Sequence, residues 1–208
     1  MKPLVDIKKK IVLASASPRR KELLARMGFS FDVFPSTSEE SNKEIFALSA
    51  AEQVCMLAEQ KAEDTASRIF QDCLVIGADT IVVRDGQILG KPKDRKEAAA
   101  MLRSLQGCWH EVLTGIALID RKLSYRDKAF ECTRVEMMQL DTYQIEWYLD
   151  SGEYADKAGA YGIQGLAAAF IPRIDGCYFN VMGLPLNLLY KMLQRYKTYA
   201  GYYSTVID

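Results

Sequence analysis

Four short stretches place polar or charged residues where local rules ask for something else, and together they supply the parts of a phosphate-handling site. The first is Ser15-Ala16-Ser17-Pro18-Arg19-Arg20. Ser17 is a natural N-cap and Pro18 a natural first helical residue, so Arg19 and Arg20 fall in the first turn of a helix. That end of a helix carries partial positive charge and unpaired N–H groups, and two cations there have the wrong sign unless an anion completes the arrangement. With the hydroxyls of Ser15 and Ser17 they would make a phosphate cradle. Read alone, a solvated pair of arginines explains the stretch equally well.

The second is Lys61, which follows Val54, Leu57 and Ala58 at helical spacing and therefore falls on their apolar stripe. An inward lysine needs an anion, or must snorkel past the end of the stripe to water. Lys61→Met is expected to preserve or raise stability, since an inward charge is removed. The third is Gly77-Ala78-Asp79-Thr80, a carboxylate between two strand-like runs. The Asp85-Gly86 turn that follows sets Arg84 opposite Gln87 and Val83 opposite Ile88, and by extension Thr80 opposite Lys91. Strict alternation puts Asp79 and Thr80 on opposite faces, so convergence of Asp79, Thr80 and Lys91 requires a bend, which Gly77 would supply. A structural Asp79–Lys91 ion pair is the simpler alternative.

The fourth is Asp156 to Gly165, where Gly159, Gly162 and Gly165 bracket Gln164. Glycines let a backbone approach a ligand closely, and a carboxamide both donates and accepts, as a nucleobase edge requires. A tight structural turn would use the same residues. Taken jointly, the stretches offer four cations (Arg19, Arg20, Lys61, Lys91), the acid Asp79, the amide of Gln164, and in Glu39-Glu40 a pair able to hold a hard metal through oxygen. That inventory suits a nucleotide phosphate site. The sequence contains no GxSxG, HExxH or Walker A pattern, so serine-hydrolase, zinc-hydrolase and P-loop chemistry lack parts. The single histidine, His110, reads as a supporting group rather than a catalyst.

The elements that must position these residues alternate between helix and strand. Ile11 to Ala14 reads as a buried strand, Pro18 to Met27 as a helix ended by Gly28, and Phe31 to Phe34 as a strand before a polar loop over Pro35 to Glu44. Ser49 and Glu52 form a capping box for a second helix, and Asp94 starts a third that Gly107 closes. Val112 to Ile119 and Phe130 to Met138 read as paired strands, and Thr142 to Asp150 as a helix. Leu166 to Ile174 and Cys177 to Val181 read as a second hairpin about Asp175-Gly176, and Pro185 to Tyr196 as a final amphipathic helix. The pattern is an α/β fold around a mixed sheet.

Bulk properties narrow the class. Lysine plus arginine and aspartate plus glutamate each number 27 in 208 residues, which argues against a broad electrostatic grip on nucleic acid or an anionic membrane. The five cysteines are scattered, without disulfide or zinc spacing, and read as thiols of a reducing compartment. The short apolar run after Lys8-Lys9-Lys10 is too brief for a signal peptide, and no run approaches a membrane span. The expectation is a cytoplasmic protein of one domain over residues 1–208, with no nucleic-acid or membrane partner.

The stretches Leu13 to Leu24, Gly77-Ala78-Asp79-Thr80, Gly90-Lys91-Pro92, Asp156 to Gly165 and Val181 to Leu186 together resemble the Maf family of nucleoside triphosphate pyrophosphatases, in order and spacing, over about residues 11–196. The resemblance implies an elongated mixed twisted sheet flanked by helices, with two lobes around a central cleft, similar to the inosine triphosphate pyrophosphatase fold. It implies hydrolysis of a nucleoside triphosphate substrate between the α- and β-phosphates with a divalent cation, Mg²⁺ or Mn²⁺, and a possible homodimer. By the same resemblance Asp79 matches the catalytic acid, and Ser15, Arg20, Glu40, Lys61 and Lys91 match polar pocket positions, with Glu40 placed to help hold the metal. Arg19, Thr80 and Gln164 match positions linked to base choice, and their identities are similar to the group acting on dTTP and UTP. The alternatives are the 7-methyl-GTP group and a non-catalytic nucleotide-binding regulator of cell division or septum formation.

Overall fold

The computed structural model describes residues 2–38 and 47–206, with side chains to residue 203. Seven strands form one mixed sheet. They are β1 (Lys10–Leu13), β2 (Phe31–Val33), β3 (Cys73–Arg84), β4 (Gln87–Leu89), β5 (Cys108–Asp120), β6 (Tyr125–Met137) and β7 (Arg173–Asp175), and their order is β2-β1-β3-β5-β6-β7 with β4 on β3. β1 runs parallel to β2 and β3, whereas β3–β4 and β6–β7 are antiparallel. The helices are α1 (Pro18–Arg26), α2 (Ala50–Arg68), α3 (Arg95–Leu105), α4 (Thr142–Asp150), α5 (Tyr178–Met182) and α6 (Leu186–Val206). Among the described residues, no helix is long and apolar enough to cross a membrane.

The chain divides into two compact units, the first Met1–Asp79, Thr114–Glu131 and Gly183–Asp208, the second Thr80–Leu113 and Cys132–Met182. In the first, α2 lies on the sheet through small residues: Ala58, Ala62 and Ala66 pack with Val12, Ala14, Val75, Ala117 and Ile119. Small side chains on the helix bring its backbone close, and Gly77 marks the tightest point. A Cβ built there would stand 2.2 Å from the Ala58 carbonyl oxygen and 2.8 Å from the Ala62 Cβ. Ser49 and Glu52 close a capping box that starts α2 as its sequence requires.

Larger side chains fill the second unit. Val82, Ala98, Leu102, Val112, Val135, Met137, Tyr148, Tyr161 and Phe170 share one apolar cluster. The α3 helix begins at Asp94, whose carboxylate accepts the Glu97 N–H at 2.7 Å, and it packs against α4. The Asp85-Gly86 turn has both residues at positive φ, +50° and +76°, as a two-residue hairpin with right-handed strand twist demands.

Four expectations from sequence are corrected. β3 is one unbroken strand, so Gly77 makes room for a helix and does not bend the chain. The β3–β4 ladder begins as expected, Arg84 with Gln87 and Val83 with Ile88, but β4 stops at Leu89 and never pairs Thr80 with Lys91. Leu166 to Val181 is not a hairpin. Leu166–Phe170 is a 3-10 turn, β7 pairs with β6 (Val135 opposite Ile174), and Tyr178–Met182 is helical. The reason is Gly176, at φ +128°, where Thr133 Oγ1 accepts the Cys177 N–H and donates to its carbonyl, turning the chain out of the sheet. Finally, α6 runs on to Val206 beyond the expected end at Tyr196, and the Tyr199 hydroxyl donates to the Leu123 carbonyl at 3.1 Å.

Candidate active site

The first unit gathers Ser15, Arg20, Lys61 and Asp79. The β1–α1 turn places Ser15, which is 8% exposed, with its Oγ accepting the Ser17 N–H at 3.3 Å and Arg20 Nη1 at 3.2 Å. Ser17 stands at the N-cap without its side chain accepting a cap hydrogen bond, and its own N–H donates to Ser15. Arg20 Nη1 also donates to the Ala78 carbonyl at 2.9 Å, and Nε donates to the Gly183 carbonyl at 2.9 Å. These three acceptors are neutral and orient the guanidinium fork. An arginine on the sequence's wrong-sign helix end is thus held in place by a carbonyl of β3 and by the turn into α6.

Asp79, 7% exposed, follows Ala78 on β3, and its Oδ1 accepts a hydrogen bond from the Lys61 ammonium. The pairing follows from the close approach at Gly77. Residues 77 and 79 share a strand face by period-two alternation, while Ala58 and Lys61 lie one turn apart on the helix that touches it. A larger residue at 77 would lift α2 from β3 and pull the lysine from the carboxylate. The side chains are 18% and 10% exposed, so the pair is held largely out of water. Asp79 takes Lys61 as an ion partner.

The second unit carries Thr80, Lys91 and Gln164. Lys91 is exposed just beyond β4, and the preceding residue ties its segment down: the Gly90 carbonyl accepts the Gly159 N–H at 3.1 Å. Gly159, at φ +68°, would bring a Cβ to 3.1 Å from both Val82 methyls. Two loops of the sequence reading are thus joined by one backbone bond. Gln164 is exposed within a turn that the Gly165 N–H closes on the Gly162 carbonyl at 3.0 Å. Thr80 is half-buried at the start of this unit's part of β3, and Arg19 is half-buried in α1 of the other unit. Glu39 and Glu40 lie outside the described residues.

His110 is 3% exposed, and its Nε2 lies 2.7 Å from the Tyr161 hydroxyl. Burial, with a smaller push from Arg84, lowers its pKa to about 4. The ring is neutral at ordinary pH and sits in the core. Sequence reasoning did not single out the carbonyls of Ala78 and Gly183 that hold Arg20. The second had a signal, because Gly183 at φ +107° occupies backbone that other residues rarely adopt.

The Asp79 carboxylate is a hard oxygen donor. Among the described residues, no group of three or more His, Cys, Asp or Glu side chains could close on an ion. The donor set fits a cation such as Mg²⁺ that takes one or two carboxylates and completes its shell with water and substrate phosphate oxygens. Chemically, the first unit offers an oriented guanidinium from α1 and an ammonium from α2 at adjacent residues of β3, the second paired with a carboxylate, the set needed to hold phosphate charge and receive a proton.

The family described as Maf-like protein matches residues 10–196. The dTTP/UTP pyrophosphatase of Acetivibrio thermocellus is 50% identical over 191 residues, covering 89% of this chain and 94% of that protein. Those of Pelotomaculum thermopropionicum and Clostridium acetobutylicum are each 48% identical, over 90% and 88% of this chain and 97% and 96% of theirs. Among solved structures, the Staphylococcus aureus Ham1 protein is similar at TM-score 0.40 and 14% identity, over 62% of this chain and 72% of that one.

Proposed function

The chain belongs to the Maf family, and on that premise we propose that it hydrolyses dTTP and UTP to the nucleoside monophosphate and pyrophosphate, as one Maf-like domain with a core over about residues 11–196. The observation that carries the proposal is the Lys61–Asp79 pair one residue along β3 from the carbonyl that orients Arg20. Relatives about half identical over nearly their full length bear the name dTTP/UTP pyrophosphatase.

In the proposed reaction Asp79 receives a proton from water as the water oxygen bonds to the α-phosphorus, and the bond from that phosphorus to the bridging oxygen breaks. Pyrophosphate leaves with the electron pair. Arg20, Lys61 and Lys91 stabilise the charge that develops on it, which is the kind of preorganised electrostatic contribution that dominates phosphoryl chemistry. Ser15 acts through Arg20, whose fork it helps to aim. A divalent cation, Mg²⁺ or Mn²⁺, would be held partly by Glu40 and would polarise the phosphate when bound. Arg19, Thr80 and Gln164 contact the nucleoside and set base choice.

Pyrophosphate release by the purified protein from dTTP, UTP, CTP, GTP and 7-methyl-GTP, with Mg²⁺ or Mn²⁺, tests this. The highest specificity constants are expected for dTTP and UTP. Preference for 7-methyl-GTP would move the chain to the other group, and binding without release from any nucleotide would make it a regulator.

A further inference from the structure

We infer that His110 is a positioning residue for base selection, acting through the Tyr161 hydroxyl to hold the turn that presents Gln164. The inference rests on the reading of Gln164 as a base contact. Tyr161, 5% exposed, belongs to the apolar cluster with Val82, Val112, Ala160 and Ala167, and the His110–Tyr161 contact is a polar island in it. The rings meet edge to face with centroids 5.4 Å apart.

The island is an inefficient way to fill a core. His110 Nδ1 is buried with no hydrogen-bond partner among the described residues. Whichever tautomer is present, one ring nitrogen is left unsatisfied, and an orphaned buried polar atom is destabilising where an apolar pair of similar shape is not. Packing alone would favour two apolar side chains at 110 and 161. A hydrogen bond between two side chains does what packing cannot: it fixes the direction and height of the backbone that carries Tyr161.

That backbone is the segment that needs fixing. Ala160, the residue before, holds φ +60° although it is not glycine, a conformation that persists only when its surroundings enforce it. Gln164 lies in the turn from Gly162 to Gly165, clamped on both flanks. On one side stands the Tyr161–His110 bond. On the other, the Glu153 carboxylate accepts the Leu166 N–H at 3.1 and 3.2 Å, and a Cβ at Gly165 would lie 2.0 Å from its Oε2. With the first clamp released, the turn keeps its internal bond but loses its height over the core, and an exposed amide three residues away loses its aim.

Tyr161→Phe keeps the ring and deletes the hydroxyl, so it tests the clamp without a cavity. Two quantities are read on the folded variant: the ratio of specificity constants for UTP and CTP, and hydrogen exchange at the amides of residues 162–166. The expected result is a fall of about tenfold in the ratio, carried by KM for UTP rather than by kcat, with faster exchange at 162–166 and unchanged exchange in α2. His110→Leu is expected to reproduce this, and His110→Gln, which restores an acceptor near the Nε2 position, to recover part of the ratio. A Tyr161→Phe protein with the wild-type ratio overturns the inference, whether or not exchange rises, provided Gln164→Ala lowers that ratio. If Gln164→Ala leaves the ratio unchanged, the base-contact reading has failed instead. Exchange at 162–166 then judges the clamp alone, and wild-type exchange in Tyr161→Phe overturns it.

Discussion

The first unit holds its polar residues by long-range contacts between rigid elements, while the second presents its polar residues on turns. Arg20 is held by carbonyls 58 and 163 residues away in sequence, and Lys61 reaches Asp79 across a helix–strand contact so tight that only glycine fits beneath it. Lys91 and Gln164 are exposed, and what is ordered about them is the backbone behind them, tied at Gly90–Gly159, Tyr161–His110 and Glu153–Leu166. The contrast matches two different demands. Charge stabilisation and proton transfer require fixed geometry and restricted water, whereas base recognition tolerates adjustment and needs an accessible edge. On the proposed function, damage at Lys61 or Asp79 should therefore stop turnover, and damage at Gln164 should redistribute it among substrates.

The most severe test is Asp79→Asn, which retains shape and a hydrogen-bond acceptor for Lys61 but removes the anion. Turnover should fall on the order of 10²- to 10⁴-fold on every nucleotide alike, with nucleotide binding retained by isothermal titration. Turnover within a few-fold of wild type would break the comparison at its strongest point. Because breaking this pair also costs stability, a destabilised but folded variant with wild-type turnover would recast the Lys61–Asp79 pair as a structural ion pair.

Lys61→Met should come next. From sequence, Lys61→Met is expected to preserve or raise stability, but the structure pairs the lysine with Asp79 and reverses that expectation. Its removal leaves Asp79 largely buried with its ammonium gone, so thermal unfolding should show a loss of stability, about 1–3 kcal/mol. Triphosphate binding should weaken as well. Unchanged stability would mean that water reaches Asp79 freely and that the first unit is less closed than its exposures indicate.

Gln164→Glu should have the smallest effect and the most selective. Stability should be unchanged, because the side chain is exposed. The specificity constants for dTTP and UTP should fall by about tenfold relative to CTP, as an amide donor is lost and a charge is added. Equal losses on all nucleotides would erase the distinction between the two units and assign Gln164 to the common triphosphate machinery.

What the sequence by itself determined was local. The Ser49–Glu52 capping box, the Asp94 cap, the Asp85-Gly86 turn and α4 over Thr142–Asp150 are encoded within a few residues, because hydrogen bonds and φ preferences at caps and turns close over three or four positions. The phase of α2 likewise turned Lys61 inward. Tertiary structure alone decided what Lys61 meets, since its anion lies eighteen residues away on another element and the register that joins them is set by Gly77 against Ala58. It also decided that Cys177 to Val181 turns away as a helix. A short apolar run suits strand or helix equally, and Thr133, far off on β6, settles the matter by holding the backbone at Cys177. Wherever the partner is distant in sequence and the contact depends on how closely two backbones approach, periodicity can say which way a side chain points but not what it will find there.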